Sequence, residues 1–130
     1  MKTINTQGTR KQAVARATLS AGKGKVTINK IYLRDFQSKS AQLRISEPMI
    51  LAGATAQKVD IDILVQGGGV NGQTDASRVA IARALVAHDP TLKKVFTEYD
   101  RLLLIPDVRR KESRKPNDSK ARASRQKSYR

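Results

Sequence analysis

The sequence predicts a mixed α/β domain over residues 1–106, followed by an extended basic tail over residues 107–130. Three observations carry this reading. Val59 to Val65 alternates apolar and polar side chains with a period of two, the pattern of a half-buried strand. Thr74 to His88 sets Ala76, Ala80, Ala84 and Ala87 along one helical stripe, flanked by Ile81 and Leu85. Beyond Pro106, large apolar side chains almost vanish, with Val108 and Tyr129 the exceptions.

Taken in order, Arg10 to Leu19 is rich in small and branched residues. Gly22-Lys23-Gly24 supplies a turn, and Lys25 to Asn29 alternates strictly, which predicts a β-hairpin with Arg16, Lys23 and Lys25 facing outward. Asp35 to Ile45 suits a helix. Glu47-Pro48 opens a second, short one, because proline in a first turn lacks only an N–H that would have no partner there. Gly53 ends it. The strand at Val59–Val65 leads into the glycine run, and the alanines of Thr74–His88 let that helix lie close to a sheet. Asp89-Pro90 stops it. Leu92 to Tyr99 predicts a further helix, and Arg101 to Ile105 a strand.

Charge narrows the function. The 130 residues carry 26 Lys and Arg against 11 Asp and Glu, a net charge of +15. Such a chain repels itself unless a polyanion neutralises it. The tail holds Arg109, Arg110, Lys111, Arg114, Lys115, Lys120, Arg122, Arg125, Lys127 and Arg130 against Asp107, Glu112 and Asp118, a net +7, leaving +8 for the rest of the chain. With no core to offset the ordering entropy, the tail alone is expected to be disordered and to order on a polyanion. A solubilising extension or a localisation signal has the same composition. Nucleic acid is the first candidate partner and an anionic membrane the second. No apolar run approaches the roughly 20 residues of a membrane span, and the N-terminus lacks a signal-peptide core, so a cytoplasmic chain is expected. Cysteine is absent and His88 is the single histidine, which leaves no thiol chemistry and no site that needs two histidines.

The stretch ILVQGGGVNGQTDASR poses the sharpest choice. Gly67, Gly69 and Gly72 satisfy the dinucleotide pattern G-x-G-x-x-G, and the same segment comes within one residue of an ATP-binding P-loop. Gln73, however, stands where the P-loop lysine must carry its charge. Asp75 puts a carboxylate at the helix start, where a phosphate would bind. An acidic residue suited to a ribose is also missing, since Asp89 falls in a helix-stop turn. The glycines Gly67, Gly68, Gly69 and Gly72 are therefore expected to turn the chain, with Thr74 as cap, and to let the backbone and Arg78 approach a nucleic-acid backbone closely. Arg78 and Arg83 read either as exposed helix arginines or as RNA contacts. Asp60 and Asp62, on the outer face of a strand, read as a solvated or salt-bridged pair, and His88 as a cap on the last carbonyls of its helix. The few aromatics, Tyr32, Phe36, Phe96, Tyr99 and Tyr129, argue against a base-stacking platform.

The segments GTRKQAVARATLSAGKGKVTIN, EPMILAG, VDIDILVQGGGVNGQTDASRVAIARAL, YDRLLLIPDVRRKESRKP and QKSYR occur in this order. Together they resemble the ribosomal protein nine family of the small subunit, in its archaeal form, over nearly the whole chain. Two local departures are Ile31-Tyr32-Leu33, where the family usually has a proline before a leucine, and Thr74 in place of a common alanine. The resemblance implies a four-stranded sheet with helices packed on one side, like the second domain of ribosomal protein five. It implies a structural, non-catalytic protein without metal, cofactor or small-molecule substrate. Its partners would be rRNA of the 3′ major (head) domain and neighbouring head proteins. On this reading Arg10, Lys11, Arg16, Lys23 and Lys25, with Arg78 and Arg83, dock the domain, and the basic tail residues neutralise rRNA phosphates. Arg130, with Tyr129 and Lys127 beside it, would reach phosphates of the peptidyl-site tRNA anticodon stem-loop.

Overall fold

In the computed structural model, residues 2–36, 38–117 and 121–122 are described. Five strands, β1 (Ile4–Arg10), β2 (Ala13–Ala21), β3 (Val26–Ile28), β4 (Ile31–Tyr32) and β5 (Val59–Gln66), form one sheet in the order β1-β2-β5-β3-β4. Only the β3–β5 pair is parallel. The helices α1 (Lys39–Ala52), α2 (Val70–His88) and α3 (Leu92–Tyr99) cover one face. The expected α/β layering with helices on one side is therefore present. The strand count is five rather than four, the extra one being the two-residue β4.

Alternation builds the core. Val59, Ile61, Ile63 and Val65 of β5 and Ala13, Ala15, Ala17 and Leu19 of β2 are all buried, and their neighbours face solvent. From the helices, Ala76, Ala80 and Ala84 meet this layer with Ile81, Leu85 and Phe96. Ala87, expected on the stripe, is exposed. The helix passes very close to β1. A Cβ on Gly8 would lie 2.2 Å from the Ala76 carbonyl oxygen and 2.6 Å from the Ala80 nitrogen. Glycine on the strand and alanine on the helix thus permit the same crossing.

Three expected elements differ. β2 and β3 are not hairpin partners: β5 lies between them and pairs with both. The Gly22–Gly24 turn instead crosses the start of β5, donating from the Gly22 and Gly24 nitrogens to the Lys58 and Val59 carbonyls, each at 3.0 Å. The hairpin partner of β2 is β1. Second, residues 39–52 form one helix rather than two. The Ser38 hydroxyl caps it by accepting from the Ala41 nitrogen at 3.1 Å. Pro48 lies inside, on the buried stripe of Ala41, Ile45 and Ala52. One lost backbone hydrogen bond does not outweigh that burial. Gly53 ends the helix as expected, with φ of 60°. Third, residues 101–105 are no strand. The Asp100 side chain accepts from the Leu102 nitrogen and starts a 3₁₀ turn, Arg101–Leu103, which buries Leu103.

Candidate nucleic-acid interface

The glycine run makes its turn with two residues. Gly67 and Gly68 have φ of 78° and 64°, a region open to glycine at little cost. A Cβ on Gly67 would stand 2.4 Å from the Gln12 carbonyl oxygen. The close approach expected of this loop is thus made, at Gly67 and Gly68, to the protein's own β1–β2 hairpin. Gly69 is extended and open, and Gly72 lies in the first turn of α2. The Gln73 amide donates to the Gly67 carbonyl at 3.1 Å and latches the turn.

Because α2 begins at Val70, Thr74 is not its cap. It is buried, and its hydroxyl donates to the Val70 carbonyl at 2.8 Å, one turn back. Asp75 falls in the second turn. Its carboxylate faces Arg44, 2.7 Å away in an ion pair rather than an aligned hydrogen bond, and Arg10 at 3.8 Å. The helix start has no side-chain cap. The first-turn N–H groups, which no helix can satisfy from within, therefore point outward with the positive end of the helix dipole.

Around that start lies a groove of about 540 Å³, lined by Gly68 to Gly72, by Arg10, Lys11 and Gln12 of the hairpin turn, and by Arg110 and Lys111 of the tail. Among the described residues, four cations and no carboxylate line it. Lys11, Arg110 and Lys111 form no ion pair among the described residues. Chemically this is an anion cradle: first-turn N–H groups, a dipole and cations, with room for a sugar–phosphate backbone.

The tail's root is fastened beside it. The Arg10 Nη1 donates to the Arg109 carbonyl at 3.0 Å, and its Nη2 lies 3.7 Å from Asp107. Asp107 accepts from the Arg109 guanidinium, at 2.7 Å from Nη2, and from the Arg109 nitrogen at 3.0 Å. These bonds to Arg109, with the charge of Arg10 nearby, hold the Asp107 carboxyl well below the usual carboxylate range.

The remaining expected contacts fall into three groups. Arg78 and Arg83 are not exposed helix arginines. Arg78 pairs with Glu47 and approaches Asp100 at 3.5 Å, joining α1, α2 and the 3₁₀ turn. Arg83 donates to the Leu104 and Gln7 carbonyls at 2.9 and 2.7 Å. Arg16, Lys23 and Lys25 are exposed, as expected. The turn that presents the two lysines is shaped by Asp60, which accepts from the Lys23 and Lys25 nitrogens at 2.9 Å each; the bond from Lys25 leads those that lower its pKa. Asp62 accepts from the Thr27 hydroxyl at 2.8 Å, so each carboxylate has a structural partner. Arg114 and Lys115 are exposed, and Arg122 pairs with Glu112 at the surface. Lys120, Arg125, Lys127, Tyr129 and Arg130 lie outside the described residues. His88 ends α2 as expected, though the bond to the Leu85 carbonyl comes from the Asp89 nitrogen.

Arg10 and Asp107 as the tail clasp were not foreseen from the sequence. The partners are about a hundred positions apart, and only the charge change at Pro106 marks the place.

The chain is a layered α/β domain with an uncapped helix start, a cation-lined groove and a basic tail leading from it. Comparison with known proteins gives its family. The family model described as ribosomal protein S9/S16 matches residues 8–130. The chain is 45% identical over 132 residues to the small ribosomal subunit protein uS9 of Methanothrix thermoacetophila, and 46% identical over 134 residues to that of Methanococcus maripaludis strain C7, each comparison covering 100% of both chains. The chain belongs to the ribosomal protein S9/S16 family, whose role is structural rather than enzymatic.

Proposed function

We propose that the chain is a structural constituent of the small ribosomal subunit and binds rRNA of its 3′ major (head) domain. The observation that carries this reading is the carboxylate-free groove at the start of α2, where the tail leaves the domain. An rRNA backbone segment seated there would meet the open N–H groups, with Lys11, Arg110 and Lys111 replacing its counterions. Arg16, Lys23 and Lys25 would add exposed cations. Arg10, Arg78 and Arg83 would serve by holding the elements that shape the interface, since each has partners within the protein. Arg114, Lys115, Lys120, Arg122 and Arg125 would neutralise phosphates of RNA packed around the tail. Lys127, Tyr129 and Arg130 would reach the peptidyl-site tRNA, with the Arg130 guanidinium forking onto a phosphate. Such contacts would tune tRNA retention without reading codons, because phosphates carry no sequence.

Sedimentation of a lysate through a high-salt gradient tests membership. Co-migration with the small subunit is expected, and a chain found free in the upper fractions overturns the reading. Deletion of Arg130 is expected to weaken peptidyl-site tRNA binding by purified subunits while assembly proceeds. Unaltered tRNA affinity would remove that residue from the account.

A further inference from the structure

A second groove, far from the glycine turn along the sheet, has a different chemistry. It lies between α1 and the segment that runs from β3 through β4 to residue 34, and encloses about 690 Å³. Its apolar lining includes Tyr32, Leu43 and Met49. Leu43 is 59% exposed. Ile50, 72% exposed and seven residues further on, continues the apolar surface along the same helical face. An apolar lining of this extent on a strongly charged protein marks a surface that a partner covers.

The rim supplies the second half of the argument. Lys25, Arg34 and Lys39 surround the apolar lining. Asp35 is the acidic neighbour, 3.9 Å from Arg34, and both side chains are largely exposed, so that the ion pair is loose. The rim is left net positive. RNA would satisfy it but would leave the Leu43 and Ile50 side chains against phosphates and water. Nor is Tyr32 a free stacking platform: Arg34 Cζ and Lys25 Nζ lie 5.3 and 5.5 Å from its ring centroid.

We propose that this groove is a protein-docking surface, which takes a segment of a neighbouring protein carrying a large apolar side chain beside one or more carboxylates. The apolar group would fill the space between Leu43 and Met49, and the carboxylates would pair with Lys25, Arg34 and Lys39. A cationic partner segment is rejected by the same rim. The inference rests on the subunit membership proposed above, and it shares one residue, Lys25, with the rRNA-facing cations proposed there.

The test places a benzophenone amino acid at position 43 of the full chain and irradiates purified small subunits. Sedimentation of the labelled chain is read first; its absence from the subunit overturns the membership and the docking together. In subunits that contain it, digestion with protease and nuclease is followed by mass spectrometry. The expected product joins position 43 to one protein segment with Asp or Glu beside a large apolar residue. Charge reversal by Arg34→Glu with Lys39→Glu is expected to lower its yield about fivefold or more, with the chain retained in the subunit. A cross-link to rRNA, one to a segment without carboxylates, a yield that charge reversal leaves unchanged, or no product above that from the same label at the exposed Val95 would each overturn the proposal.

Discussion

Arg78 and Lys111 carry the same charge, and the structure uses them in opposite ways. The Arg78 side chain is 11% exposed and held between Glu47 and Asp100. Lys111 lines a groove in which no carboxylate answers it. Arg10 and Arg83 side with Arg78, and Lys11 and Arg110 with Lys111. A net charge of +15 therefore overstates the binding surface, because part of the cationic inventory closes the domain and part is left for a partner. The guanidinium's planar fork suits the first use, bridging carboxylates and carbonyls from several elements at once.

Substitutions that break the closed half should act on stability. The largest effect is expected at the crossing beneath this network. Gly8→Ala would drive a methyl group into the backbone of α2 and cost about 3 kcal/mol or more, read from denaturant unfolding of the isolated chain. Arg78→Ala leaves Glu47 and Asp100 without their shared cation. Because that cluster is partly open to water, the expected loss is about 2 kcal/mol, below that of a fully buried pair. If the melting transition of Arg78→Ala matches that of the parent, the division between closing and binding arginines is wrong.

A smaller effect should appear with pH at the tail clasp. The bonds from Arg109 depress the Asp107 pKa in the folded chain. Their stabilisation is complete above the ordinary value of 3.8 and is lost as pH falls below it through the lowered value. The NMR shift of the Arg109 Nε–H is expected to hold at pH 3.8 and to move toward that of a free arginine only well below it, and Asp107→Asn should abolish the movement. A shift that moves well above that pH would assign the change to another group.

How much of this was legible in the sequence depended on distance along the chain. β5, α2 and α3 were readable because their periodicity is local, and Gly53 because a helix end is local as well. β1 was not, since Ile4 is its one large apolar side chain and its strand state comes from pairing with β2 beneath α2. The false hairpin at Gly22–Gly24 has the same origin: a turn between two strands does not reveal that β5, more than thirty residues on, enters between them. Leu102 to Ile105 offered an apolar run too short to separate a strand from a capped 3₁₀ turn. For the site, the glycine turn and the basic tail were visible. The partners of Arg78 and Arg83 were not, because Glu47 and Gln7 lie 31 and 76 positions away.

The central proposal is that Lys11, Arg110 and Lys111 are the phosphate-facing cations of the groove at the start of α2, while Arg78 and Arg83 close the domain. It is tested most directly by titrating 3′ major-domain rRNA with the full chain across a salt series, beside the variant Lys11→Ala/Arg110→Ala/Lys111→Ala. The account predicts a log K against log salt slope shallower by about three in the variant, with unfolding free energy within about 0.5 kcal/mol of the parent. An unchanged slope in a folded variant would contradict it.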